Sequence, residues 1–329
     1  MDSPSRRDLL RAGGAVATIG AVGAGSFSGC LGTLIGGGSE RSAVDVVTRW
    51  WADPGQLTGR ADRSPARYVR CVSPSAVAEA NDRVSGDLLR RGARRFEAEF
   101  RPFDVTYREV SFRFRPGDWE LLAVDHGRGR AASALRANGF RKVTEHRGFA
   151  VFAESDRSDS GGEGDVADPG RLYAFDGSIV LTTRRERWPP DGGVRAITGL
   201  IDAGEGALDR VPETDDAVGG LLSAARDGDF AFVDRTDRIA AGDADPEFGR
   251  FDGQIGSCSA GEFGTDALHF QSLTLFSESS AVDIEAIREY VQALEDEDSG
   301  VFAATETSVD RRGRLVEITF VVSLESLVD

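Results

Sequence analysis

The sequence predicts an α+β fold in which antiparallel sheets carry helices on one face, in two units joined near residues 235–250. Alternation of apolar and polar residues recurs in pairs of segments separated by short turns, which is typical of hairpin-connected antiparallel strands. Single helical segments stand between these pairs. The order strand–strand–helix–strand–strand (ββαββ) therefore occurs twice, as a similarity of pattern without residue-level identity.

The first unit, residues 43–240, starts near a Trp50-Trp51 pair that we expect to be buried. A strand is predicted at 66–72 and one long helix at 73–100, because apolar residues in the latter recur at three- and four-residue spacing. Those residues are Val77, Ala80, Val84, Leu88, Phe96 and Phe100. The first ββαββ series follows, with strands at 110–115, 119–125, 141–146 and 149–153 around a helix at 128–138.

The remainder of the first unit begins with a Ser/Gly/Asp-rich segment, 155–170, which predicts a mobile acidic surface loop. Asp176-Gly177 then predicts a hairpin with a type I′ turn. Helices are predicted at 194–203 and 215–225 and a strand at 230–234. The C-terminal unit, 250–329, repeats the ββαββ order, with strands predicted at 251–258, 268–276, 301–309 and 315–324 around a helix that contains Ile284 to Leu294.

The first thirty residues predict an export signal. Arg6-Arg7 followed by Leu9-Leu10 resembles a twin-arginine motif, and the uncharged run 12–29 is too rich in glycine for a stable spanning helix. Phe27 to Cys30 resembles a lipobox, so we expect a signal peptide at 1–29 and a lipidated Cys30 on a flexible tether, 30–42. The alternative is a signal cleaved elsewhere, with Cys30 incidental. The segment resembles the signals of haloarchaeal twin-arginine-exported lipoproteins.

The charged residues of the chain also resemble those of haloarchaeal proteins in type and number. Its formal net charge is −16, and Lys142 is the only lysine among 39 basic residues, which resembles the composition of haloarchaeal proteins. An acidic chain in screening salt is a poor ligand for nucleic acid. The expected partners are therefore the membrane, through lipid on Cys30, and the twin-arginine export machinery. The expected location is the outer face of the cell membrane.

The mature part carries three turn motifs in a fixed order: Gly148-Phe149, Asp176-Gly177 and the segment Ile201 to Gly204. In this order they resemble an uncharacterised family of secreted and lipid-anchored prokaryotic proteins. That resemblance covers about half of the mature chain. It implies an extracytoplasmic protein and supplies no catalytic residues.

One segment has the form of a dinucleotide-binding turn. Gly127 to Ala132 reads G-x-G-x-x-A between a predicted strand and a predicted helix, and Glu145 follows where a ribose-binding acid would be sought. The predicted strand after this helix is followed by a hairpin and not by a second crossover helix. This favours the interpretation that the glycines only allow the chain to turn into the helix, over dinucleotide binding.

The chain offers little else for chemistry. With three histidines and three scattered cysteines, neither a metal site of the usual kind nor a cofactor is expected. The leading hypothesis is a non-enzymatic binding or envelope-structural module. The alternative is an exported cofactor-binding or hydrolytic enzyme with a site near His126 and Glu145.

Two cysteines remain after Cys30. Outside the membrane, Cys71 and Cys258 could form one disulfide that joins the two units, or both could be buried free thiols. Sequence alone does not decide between these, because it does not give their distance.

Overall fold

The computed structural model describes residues 42–58, 66–81, 87–124, 127–154, 170–184, 192–296 and 304–324. The predictions for the export signal, Cys30, the tether before residue 42, His126 and the loop at 155–169 fall outside the described residues.

In the described part of the chain, twelve strands form one antiparallel sheet with helices packed on it, which confirms the α+β class. The strands are β1 (Tyr68–Val72), β2 (Val110–Arg115), β3 (Trp119–Val124), β4 (Phe140–His146), β5 (Phe149–Glu154), β6 (Arg171–Phe175), β7 (Ile179–Arg184), β8 (Phe230–Arg235), β9 (Gln254–Phe263), β10 (Ala267–Phe276), β11 (Ala304–Arg312) and β12 (Leu315–Ser323). The helices are α1 (Ala43–Trp50), α2 (Pro54–Thr58), α3 (Pro74–Asn81), α4 (Asp87–Phe100), α5 (Arg128–Ala137), α6 (Gly192–Gly204), α7 (Val211–Thr214), α8 (Asp216–Ala224) and α9 (Ile284–Asp296).

The strand order across the sheet is β11-β12-β10-β9-β8-β1-β2-β3-β7-β6-β5-β4. The chain continues the sheet across the predicted junction, because β8 pairs with β1 on one side and with β9 on the other. The expected separate sheets are thus one sheet.

Helices cover both faces of the sheet, so the expectation of helices on one face was wrong. The first face, which we call the tryptophan face, carries Cys71, Leu121 and Leu181 under α1, α6 and α8. Trp50 and Trp51 are buried there, at 1% and 0% exposure, which confirms the prediction for the pair. The reason for the second helical layer is visible in β3, which is buried at all six positions and thus has apolar residues on both sides.

The opposite face, which we call the arginine face, carries two separate apolar clusters. The first contains Phe96 and Phe100 of α4, packed with Leu122 and Phe152 of the sheet. The second lies under α9 and α3 and contains Phe230 and Phe270, among others. Between the two clusters the strands present charged side chains to this face.

The predicted long helix at 73–100 is described as two helices, α3 and α4, with residues 82–86 outside the described part. Val77 and Ala80 of α3 belong to the cluster under α9, whereas Phe96 and Phe100 of α4 belong to the other cluster. The three- and four-residue spacing was therefore correct for each helix. The apolar residues of the two helices do not form one continuous stripe packed against a single cluster.

The hairpin at Asp176-Gly177 joins β6 to β7 as predicted, but the turn type was wrong. Only Gly177 has a positive φ, at 115°, whereas a type I′ turn needs two. The Asp176 carboxylate instead accepts hydrogen bonds from the backbone N–H groups of Ser178 and Ile179, both at 2.8 Å. An Asx-type turn thus replaces the second left-handed residue.

Candidate functional site

The predicted dinucleotide-binding turn forms the start of helix α5. Gly127 has φ 64° and caps the start of α5, and the strand that follows the helix, β4, lies at the edge of the sheet and pairs only with β5. A dinucleotide fold needs two parallel strands flanking the crossover helix. Every strand pair among the described residues is antiparallel, and the strands on either side of α5 are not parallel neighbours.

Of the two residues proposed for an enzyme site, Glu145 is among the described residues, whereas His126 is not. Glu145 is exposed on β4, where its carboxylate pairs with Lys142 at 2.6 Å and with Arg128 at 3.6 Å. The Nε2 of the neighbouring His146 donates to the Asp202 carboxylate of α6 at 2.9 Å, and Arg147 binds the same carboxylate. Within the described ranges no group of three or more His, Cys, Asp and Glu side chains is placed to hold a metal ion.

Cys71 and Cys258 are free and buried, so the disulfide considered from the sequence is absent. Cys71 lies opposite Ala231 of β8, and Cys258 lies opposite Val233 on the other side of that strand. The two cysteines are separated by two strand spacings of about 4.8 Å each and by a two-residue offset along β8, so they lie more than about 9 Å apart, beyond the 7 Å or so that a disulfide can span. Burial raises the pKa of the Cys258 thiol to about 12 and that of Cys71 well above its ordinary value, as expected for inert core thiols.

A charged cleft in the middle of the arginine face is the strongest candidate site. The alternation of β2 buries Phe112 and Phe114 on the tryptophan face and turns Arg113 and Arg115 to the other side. On that side they join residues from three other strands and from α4. The cleft that opens there has a volume of about 240 Å³ and is lined by Glu99, Arg115, Gly117, Asp118, Trp119, Glu120, Arg171, Thr182 and Thr183.

Arg113 is the centre of an ion-pair network beneath this cleft. Its guanidinium donates from Nε to Glu120 of β3 and from Nη2 to Glu99 of α4, the latter at 2.9 Å. Arg171 of β6 reaches the other Glu99 oxygen at 3.3 Å. The guanidinium of Arg113 also lies 5.1 Å from the ring centroid of Phe96, close enough for a cation–π contact. Because the side chains of Arg113, Arg171 and Glu120 are only 17%, 12% and 9% exposed, these ion pairs are poorly screened by solvent.

Two arginines at the cleft, Arg115 in its lining and Arg70 beside it, have no hydrogen bond to a carboxylate of the described residues. Arg115 has only a 3.6 Å contact with Glu120, and Arg70 of β1 has no hydrogen bond or ion pair with any residue the structure describes. Burial lowers the pKa of Arg70, and the positive charges of Arg115 and Arg113 lower it further. Burial acts to raise the pKa of Glu99, but Arg113, Arg171 and Arg115 outweigh it, so that pKa is lowered. The lowered pKa of Glu99 therefore indicates a positive potential beside it, to which Arg113, Arg171 and Arg115 contribute.

The arginines of the cleft are suited to binding and poorly suited to proton transfer. Guanidinium groups stay protonated in proteins, so they donate hydrogen bonds but do not act as general bases. The Thr183 hydroxyl in the cleft wall donates to the Asp118 carbonyl at 3.0 Å. The sequence signal for this site was the alternation of Arg113 and Arg115 with phenylalanine. By itself this alternation predicts only that the two arginines lie on a solvent-facing side of the strand.

Acidification should remove stability that Glu99 supplies. Because its folded pKa is lowered from the ordinary 4.5, its contribution is complete above that pH and is lost as the pH falls through the lowered value. Urea unfolding of wild type and Glu99→Gln from about pH 7 to about pH 3 should therefore give a difference in unfolding free energy that shrinks on acidification. Glu285→Gln, an exposed glutamate of α9, is the matched control and should follow wild type. A constant Glu99→Gln deficit at all pH values would contradict the assignment.

No protein-family profile and no curated protein matches this chain. Among solved structures, crystal forms I and III of the protein TP0453 are similar to it at TM-scores of 0.43 and 0.44, with 8% and 6% sequence identity. Each alignment covers 84% of this chain and 96% of the other. In the part of the chain the structure describes, no helix has the length and apolar character needed to cross a bilayer.

Proposed function

We propose that this protein is a lipid-anchored binding module on the outer face of the cell membrane of a halophile, without catalytic activity of its own. The observation that carries the binding role is the charged cleft on the arginine face, where Arg115 and the neighbouring Arg70 have no hydrogen bond to a carboxylate of the described residues, within a chain of net charge −16. Guanidinium groups without such partners favour a ligand of opposite sign.

The location rests on the sequence. Arg6-Arg7, the uncharged segment 12–29 and Cys30 support twin-arginine export followed by lipidation, and the short tether to residue 42 would hold the folded body near the membrane. An enzyme with a site near His126 and Glu145 is the weaker candidate, since Glu145 is exposed and engaged by Lys142 and Arg128. An envelope-structural role remains compatible with the anchor and does not require the cleft.

We further propose that the two ββαββ series, within units 43–240 and 250–329, are pattern-level repeats of one arrangement. The support is the shared element order β2-β3-α5-β4-β5 and β9-β10-α9-β11-β12. Strand pairing differs, because β10 pairs directly with β12, whereas β6 and β7 lie between β3 and β5.

A substitution of Cys30 tests whether this residue anchors the protein to the membrane. Cys30→Ser replaces the sulfur that would carry lipid, so the variant should appear in the medium after export, whereas wild type should sediment with membranes. Ser28→Ala, which keeps a small residue in the lipobox, is the matched control and should stay anchored. Arg6→Lys with Arg7→Lys should block export and leave precursor inside the cell. Full membrane retention of Cys30→Ser would show that Cys30 is not the anchor.

A further inference from the structure

Arg70 and Arg115 form a like-charge pair across two neighbouring strands. They are directly opposite in the β1–β2 register, and both side chains lie on the arginine face. Side chains at such positions have Cβ atoms about 4.5–5.5 Å apart, and like charges there destabilise a sheet. A destabilising pair of like charges in the middle of a sheet indicates a functional site when neighbouring groups do not neutralise it.

The neighbouring carboxylates compensate only in part. Glu99 and Glu120 are already bound by Arg113, and each is shared with one more arginine, Arg171 or Arg115. Asp118 adds a third carboxylate at the exposed rim of the cleft. Among the described residues, four arginines (Arg70, Arg113, Arg115 and Arg171) thus stand near three carboxylates, and the two arginines without a hydrogen-bonded carboxylate are Arg70 and Arg115.

We propose that Arg70 and Arg115 bind an oxyanion, a carboxylate or phosphate group, at the edge of the charged cleft. A guanidinium presents parallel N–H donors that match two oxygens of such a group, and two guanidinium groups side by side can hold one anion between them. Thr182, buried in the cleft wall, presents a hydroxyl to the same space. This proposal gives the chemical class of the ligand and rests on the proposed function of the chain as a binding module.

The size of the cleft limits what accompanies the anion. Pockets for drug-sized ligands have volumes of about 300–1,000 Å³, and this one has about 240 Å³. It therefore fits a small acid or an anionic headgroup better than a whole nucleotide cofactor. Chloride is a single atom and cannot accept the two parallel N–H bonds of a guanidinium in the bidentate geometry that two oxygens allow, so we expect an oxyanion to outcompete it.

The test uses the full chain, purified with its lipid in neutral detergent and titrated with sodium phosphate, sulfate or acetate against sodium chloride of equal ionic strength. We expect saturable binding of at least one oxyanion by calorimetry and no comparable signal from chloride. Arg70→Gln and Arg115→Gln should each weaken that binding roughly tenfold or more, since each removes charge-assisted hydrogen bonds. Arg288→Gln on α9 makes the same change of net charge at an exposed site and should bind as wild type does.

A second arm separates a free anion from a lipid headgroup. The Cys30→Ser form is mixed with vesicles of phosphatidylcholine alone or with phosphatidylglycerol. Binding to the anionic vesicles that both cleft variants reduce would assign the oxyanion to a headgroup, and binding of the free salts alone would assign it to a soluble acid.

Two results would overturn the proposal: no oxyanion binding in either arm, or binding that Arg70→Gln and Arg115→Gln leave unchanged. Two separate cleft variants are used so that misfolding of one, seen by circular dichroism, does not decide the outcome. The membrane-release experiment with Cys30→Ser has an independent readout. A normally anchored protein that binds no oxyanion would therefore refute this inference and leave the anchor standing.

Discussion

Replacing Arg113 with methionine should lower the free energy of unfolding by about 3–5 kcal/mol. Methionine keeps much of the aliphatic stem but removes the guanidinium that binds both Glu99 and Glu120. Glu120, whose side chain is 9% exposed, would then keep only the 3.6 Å contact with Arg115. A buried carboxylate without a close partner accounts for most of the expected loss, because its desolvation is no longer offset.

Two further variants test this explanation. Arg288→Met removes an exposed arginine that pairs with Glu285 three residues away, and it should change stability by less than about 0.5 kcal/mol. Arg113→Met combined with Glu120→Gln should be less destabilised than Arg113→Met alone, because the orphaned charge is gone. Urea unfolding at fixed salt measures all three. A loss below about 1 kcal/mol for Arg113→Met would mean that water already solvates these carboxylates.

Local patterns in the sequence predict most elements of the fold. Strand β12 alternates half-buried and buried residues along its whole length, as the spacing of Val316, Ile318 and Phe320 predicts. Gly139, with φ 84°, ends α5 in the left-handed conformation expected of the Asn138-Gly139 pair. Such features depend on neighbours in sequence, so they can be read without knowledge of the fold.

Pairing between distant strands could not be read in this way. Strand β3 lies beside β7, about sixty residues later, and not beside either strand of the hairpin that follows α5. The choice depends on which apolar faces meet in the folded state, and several choices bury similar side chains. The second helical layer was missed for the same reason. A helix shows that it has an apolar face, but not which side of the sheet that face covers.

The candidate site shows the same limit. The residues chosen from the sequence, His126 and Glu145, were chosen for their chemical type and a nearby glycine turn. The cleft instead collects Arg115 and Arg171 from two strands that are far apart in the chain, and Arg70 of a third strand lies beside Arg115. Each of them stands at a position that would be solvent-facing in an uncovered sheet. Glu99 of α4 binds Arg113 and Arg171, so the packing of this helix partly buries the charges there.

The largest packing effect is expected at Trp50, where α1 meets the end of α6. The ring of Trp50 is 1% exposed and contacts Phe149 of β5 edge to face, with centroids 6.5 Å apart. Arg49 beside it donates from Nε to the Gly204 carbonyl at 2.7 Å and pairs with Glu205, so the two helices are held together at this point. Trp50→Ala should lower the unfolding free energy by about 3–5 kcal/mol through lost burial and the cavity left behind.

Substitution of Gly204 tests the packing of the Trp50 ring more specifically. A Cβ on Gly204 would overlap the six-membered ring of Trp50, so Gly204→Ala should destabilise the wild-type protein by about 1–3 kcal/mol. In the Trp50→Ala background the ring is absent, and the same substitution should cost little or nothing. Gly220→Ala, at an exposed position of α8 with open space around it, is the matched control and should stabilise the protein by about 0.5–1 kcal/mol. Additive effects of Trp50→Ala and Gly204→Ala in urea unfolding would show that the glycine is not there to admit the tryptophan ring.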